Sequence, residues 1–264
     1  MSAGKTAKQR VAAMAEVPLA ACEKDENLQG MLNVLGNKTE KIEVRLAALQ
    51  SLQAASFSVI AFESCRSDYI AALRRVVDDS DPELRQRVLG ILAREKDGFA
   101  LKKLLEGLRH PEKALVPPEK ALQLLSYDVH AEAYPIAREI VANPPNSTAK
   151  REALRLLAAD ANAAPVFEKV LRDKTESAEI RQISAAALHV LRPDRLRKHA
   201  REILLDTTEK DQIQETSLAA LTQFANDEEV AKDDVLLKRV ERLTDHAPTK
   251  VKQSARRFLT KYGR

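Results

Sequence analysis

Seven leucines pace this chain. Leu52, Leu92, Leu125, Leu157, Leu188, Leu221 and Leu259 fall 40, 33, 32, 31, 33 and 38 residues apart. Each closes the same short motif: an apolar or small residue, a polar or basic one beside it, a small one four places on, and the leucine eight places on. The copies open at Val44-Arg45, Leu84-Arg85, Pro117-Pro118, Ala149-Lys150, Ile180-Arg181, Ile213-Gln214 and Val251-Lys252. The Pro117 copy is the weakest. Positions four and eight apart lie on one face of a helix. A motif returning at this period marks a repeat unit that cannot bury its apolar face alone and must stack on its neighbours.

Each motif follows a second apolar segment of helical periodicity: Leu28–Leu35, Tyr69–Val77, Phe99–Leu108, Tyr134–Val141, Val166–Leu171, Leu196–Leu205 and Val235–Leu243. Breakers and caps separate them, including Asp81-Pro82, Pro117-Pro118, the run Asn143 to Thr148, and Asp245 with Pro248. The unit is helix, short turn, helix. Composition agrees: helix formers dominate, aromatics are 4% and Trp is absent. Only Phe57-Ser58-Val59-Ile60-Ala61-Phe62 could be read as a strand. The small residues Ser184, Ala185, Ala186 and Ala187 at the centre of one predicted helix fit a place where another backbone comes close.

The stretches DPELRQRVLGIL (81–92) and AEIRQISAAALHVL (178–191) resemble the xPEVRxxAAxAL signature of HEAT repeats and the related bacterial lyase-type HEAT-like repeats. The resemblance covers about residues 20–262, with an N-terminal cap at about 1–19. It implies an all-α, right-handed α-solenoid of about seven HEAT-like helical hairpins, forming a single domain over 1–264. It also implies a ladder in which the basic residue of the motif, here Arg45, Arg85 and Arg181, meets an acid in the turn inside the repeat, here Asp81. Pro118 and Gln214 depart from the pattern, so the ladder should break there.

Chemistry leaves few marks. The histidines, His110, His130, His189, His199 and His246, form no H-E-x-x-H pair. There is no His-Glu dipeptide of the kind that carries the di-iron site in HEAT-like deoxyhypusine hydroxylases, nor the Trp typical of the cleft in HEAT-like DNA glycosylases. No phosphate loop or nucleophile elbow occurs. One polar cluster stands out, Tyr127, Asp128, His130, Glu132 and Tyr134; its groups could hold a metal or act as acid and base, and the reading preferred is a turn between repeats with capping residues. Cys22 and Cys65 show no metal or redox spacing and are expected to be lone, buried thiols. The expectation is a protein that is not an enzyme, with no catalytic, metal or cofactor-binding residues and no cofactor. Neither a signal peptide nor a run of 18 apolar residues is present, so a cytoplasmic chain with no membrane partner is expected.

What remains is surface. In HEAT-type solenoids the second helices line the concave side. Positions two, six and nine of the motif point away from the core and are rich in Gln and Arg. Arg151, Arg155, Gln182, His189, Gln253 and Arg257 are therefore the candidate partner-binding residues. A secondary basic patch is Arg192, Arg195, Arg197, Lys198 and Arg201. The function expected is an interaction scaffold that binds a protein partner, possibly an acidic segment, along the ridge of second helices. The alternatives are a nucleic-acid-binding protein using the basic C-terminal half, or a HEAT-like lyase or other enzyme.

Overall fold

The computed structural model describes residues 6–15, 26–58, 62–128, 130–224 and 227–263. Every regular element among the described residues is helical. The sequence of α1 (Ala7–Ala15) is followed by hairpins of α2 (Glu26–Gly36) with α3 (Ile42–Ser56), α4 (Arg66–Arg75) with α5 (Pro82–Arg94), and α6 (Gly98–Arg109) with α7 (Pro118–Leu125). Then come α8 (Tyr134–Ala142) with α9 (Ser147–Leu157), α10 (Ala164–Arg172) with α11 (Ala178–Leu191), and α12 (Pro193–Leu205) with α13 (Asp211–Phe224). The short α14 (Asp227–Ala231) precedes the last hairpin, α15 (Asp234–His246) with α16 (Thr249–Tyr262).

The chain divides into two compact units, Met1–Ala133 and Tyr134–Arg264. In the first, second helices pack on second helices, α3 on α5 and α5 on α7, and α1 lies against α3 in the same manner. In the second unit α9, α11, α13 and α16 follow one another in one layer, while α10, α12 and α15 are successive neighbours in the other.

The repeated motif is the core. Val44, Ala48, Leu52, Leu84, Val88, Leu92, Ala149, Ala153, Leu157, Ile180, Leu188, Ile213 and Leu221 are all buried. Ser184, Ala185 and Ala187 are buried too, where α11 meets helices on both sides. Two positions depart from the pattern. Pro117 is exposed, and in α16 the closing Leu259 is half-buried while Phe258 takes the core place. Phe57 ends α3 with 78% of its surface exposed, whereas Phe62 is buried edge-on against Tyr69 at 5.4 Å. Val59 and Ile60 lie outside the described residues. Cys65 is buried and is not a free thiol, which corrects the expectation of lone cysteines; Cys22 lies outside the described residues.

The ladder exists, with a corrected register. Arg181 is fully buried; its Nε donates to Leu171 O at 2.7 Å, at the end of α10, and its two terminal nitrogens donate to the Glu209 carboxylate at 2.6 Å each. Arg45 likewise donates to Leu35 O at 3.0 Å and to Asp79 at 2.6 Å. Each arginine thus satisfies a carbonyl left open at the end of its own first helix and pairs with the acid in the turn of the next hairpin. Burial raises the Asp79 and Glu209 carboxyls, but the arginine hydrogen bonds, a main-chain donor and the nearby positive charge together outweigh it and hold both below the usual carboxylate range. Lys150 with Glu176, and Arg10 of α1 with Glu40 at 2.5 Å, are further rungs. Asp81 plays another part: it caps α5, accepting from Leu84 N at 2.8 Å. Arg85 donates to the backbone carbonyls of Leu115, Asp79 and Ser80 rather than to an acid. Gln214 donates to Glu209 O at 2.9 Å, and the charged ladder stops there as its sequence predicts.

Candidate partner-binding surface

The second-helix layer of the Tyr134–Arg264 unit is set by its caps and core. Asn146 accepts from Ala149 N at 2.7 Å to start α9, and Ser177 accepts from Ile180 N at 3.3 Å to start α11. At the far end Tyr262, buried, donates to Leu221 O at 3.0 Å and packs against Phe258 at 4.9 Å, which anchors α16 to α13. With those faces turned inward, positions two, six and nine face out. Arg155, Gln182, Ala186, Ala219, Gln253, Arg257 and Thr260 are exposed, and Arg151, His189, Glu215 and Thr222 are half-buried.

The outward residues bridge neighbouring helices. Arg151 donates to Glu179 of α11 at 3.1 Å and leans on Glu152, while Arg155 donates to Glu152 at 2.8 Å. The bond to Glu179 raises the Arg151 pKa further above neutrality, so it stays charged. Gln182 donates to the Thr216 hydroxyl of α13 at 3.2 Å. Further along the same helices Ala186 and Ala219 are exposed, and Val190, one turn after Ala186 at the end of α11, has 76% of its surface in solvent.

On α16 the pattern changes. Its sequence, TKVKQSARRFLTKY, holds five cations and no acid. With Val251, Ala255, Phe258 and Tyr262 inward, 100° per residue puts Lys252 and Arg256 on one flank and Lys250, Arg257 and Lys261 on the other. Gln253 and Thr260 lie between the flanks.

The secondary patch on α12 is largely spent inside the fold. Arg192 pairs with Asp194 at 3.1 Å, Arg195 with Glu168 of α10 at 2.5 Å, and Arg201 with Asp233 at 2.5 Å. Arg197, Lys198 and Arg201 line one wall of a cleft of about 420 Å³, with Leu221, Val230 and Leu236 as its apolar lining and Asp194, Glu229 and Asp233 offsetting the positive charge. Next to it His199, buried, places Nε2 3.1 Å from Glu168 and Nδ1 3.2 Å from Glu202, tying α12 to α10. Burial would raise the Glu168 carboxyl, but Arg195 and His199 hold it below its usual value. No sequence signal showed this pairing, because its members sit one repeat apart.

Asp128 pairs with Lys96 at 3.1 Å, Tyr127 and Glu132 are exposed, and Tyr134 opens α8 in the second unit. Among the described residues no three His, Cys, Asp or Glu side chains gather as metal ligands would, and no helix is long and apolar enough to cross a membrane.

No protein family matches the chain, and no curated protein does. Among solved structures, human deoxyhypusine hydroxylase in complex with glycerol is similar at 15% identity, covering 90% of this chain and 96% of that one, with a TM-score of 0.36. The likeness is of helical build, and no residue role passes from that protein to this one. It does correct one expectation. A chain of similar all-helical build bears the name of a hydroxylase, so the reading that this protein is not an enzyme is withdrawn.

Proposed function

We propose that the protein binds a partner protein along the second helices of its Tyr134–Arg264 unit, α9, α11, α13 and α16. The observation that carries this is the exposed strip of Gln182, Ala186, Val190, Ala219 and Gln253. A face kept only for solubility carries Lys and Glu, whereas small, apolar and amide side chains let another chain lie close and offer hydrogen bonds to its backbone. Arg155 and Arg257 at the ends of the strip give it polar margins, as the rim of an interface has.

The test is the paired change Ala186→Glu with Ala219→Glu. Both sites face solvent, so the helical content and melting temperature should stay as they are. Proteins retained by the wild type from its native host should be lost by the variant, as identified by mass spectrometry. Retention of the same proteins by both would end the reading.

A further inference from the structure

Many described cations of the Tyr134–Arg264 unit are neutralised in place. Arg151, Arg155, Arg192, Arg195 and Arg201 each face a carboxylate within 3.1 Å. Lys150, Lys174 and Arg181 do so as well. Helix α16 differs, as do Lys238 and Arg242 of α15, which also form no ion pair with a described residue. Lys250, Lys252, Arg256 and Arg257 form no ion pair with any described residue, and three of the four are exposed. Three inter-helix contacts already hold the helix without them: the Tyr262 hydroxyl on Leu221 O, Lys261 Nζ on Thr222 O at 2.9 Å, and the buried Phe258. None of these contacts involves the four cations.

We propose that the outer face of α16 is the docking site for an acidic segment of a partner protein. The four unpaired cations run from Lys250 to Arg257, about 10 Å at 1.5 Å per residue, which matches a short run of Asp and Glu. Arg256 and Arg257 present paired donors to carboxylates, and Gln253 and Thr260 between the flanks bond to main-chain amides. Charge complementarity selects the partner's chemistry. The two aromatic rings of α16, Phe258 and Tyr262, are buried, so the face has no platform on which single-stranded bases could stack. This inference rests on the partner-binding reading above and narrows it to one helix and one class of segment.

The experiment titrates the full chain with a fluorescein-labelled peptide of ten glutamates, and separately with a short duplex DNA of equal charge, at about 50 and 200 mM salt. The peptide should bind more tightly than the duplex and weaken at the higher salt. Lys252→Glu with Arg256→Glu and Arg257→Glu should lose about tenfold or more in affinity. Arg197→Glu with Lys198→Glu, on α12, should change it less than about twofold. Should the triple reversal fail to fold by circular dichroism, the neutral version Lys252→Gln, Arg256→Gln and Arg257→Gln takes its place, with a smaller loss expected. Unchanged affinity in a folded α16 variant, or an equal loss from the α12 variant, would overturn the proposal. Tighter binding of the duplex would assign the face to nucleic acid and overturn it too. Ala186→Glu with Ala219→Glu leaves α16 intact; if peptide binding survives there while no native partner depends on those alanines, the strip reading fails and the α16 site stands.

Discussion

Arg181→Leu measures what a buried rung contributes. Arg181 has no exposed surface, and the side chain of Glu209 is 2% exposed. The change removes two 2.6 Å charge-assisted hydrogen bonds and the donor to Leu171 O. It leaves a buried carboxylate with one main-chain donor, Lys210 N at 2.7 Å. Removing one partner of such a pair costs about 3–5 kcal/mol. Arg181→Leu combined with Glu209→Met should recover most of that loss, since an apolar replacement of both partners is often neutral or stabilising. Urea titration followed by circular dichroism, run as a double-mutant cycle, reads the coupling. The pH dependence gives a second readout. Glu209 is held below its ordinary value by Arg181, so its contribution is present above the unfolded pKa of about 4.3 and is lost as pH falls through the folded one. In Arg181→Leu, burial acts on the carboxyl without the arginine and raises it, so the deficit relative to wild type should shrink between pH 7 and pH 4. A single-variant cost below about 1 kcal/mol, or a double variant as unstable as the single, would refute the reasoning.

Three further changes test the packing. Ala187→Leu should overpack α11 and cost about 1–3 kcal/mol, read as a lower urea midpoint. Gly107→Ala should be destabilising on the same scale, because a Cβ there would lie 2.9 Å from Ala114 Cα, a backbone atom that cannot swing away. Phe62→Ser should cost several times what Phe57→Ser does, since the first is buried and the second is 78% exposed; equal melting temperatures for the two would contradict the burial.

The hairpins were legible because their signal is local. Val44, Ala48 and Leu52 share a face by spacing alone, and so do Ile180, Ser184 and Leu188, and each triplet is buried as predicted. Leu259 missed because two large rings, Phe258 and Tyr262, compete for the same space at the end of α16 and win it. The place of α1 was hidden for a different reason. Its motif is incomplete, yet Arg10 reaches Glu40 as the other ladder cations reach their acids. Asp81 was misread because a helix N-terminus and a ladder both call for an acid, and Asp79 two residues earlier is the one that meets Arg45. The basic patch on α12 misled most: composition counts its arginines but does not show what they face.

What they face follows from the repeat itself. Several cross-helix ion pairs link residues about one repeat apart: Arg45 with Asp79 at 34, Arg66 with Glu95 at 29, Lys150 with Glu176 at 26, Arg151 with Glu179 at 28, Arg195 with Glu168 at 27, and Arg201 with Asp233 at 32 residues. Stacking sets that interval, because equivalent positions of adjacent hairpins are brought side by side. The cross-helix pairs thus span 22–34 residues, with Arg74 and Asp97 at 23 and Arg138 and Asp160 at 22 the shortest. For Lys250 and Lys252 that window, looking back, is residues 216–230, whose acids are Asp227, Glu228 and Glu229 of the extra helix α14. For Arg256 and Arg257 the window also takes in Asp233 and Asp234; α14 touches α16, yet neither arginine pairs with these acids. The net charge of +4 is a small remainder of many pairs, but it is not spread evenly. Four cations of α16 stay without an ion pair among the described residues, and that is the face proposed for an oppositely charged segment.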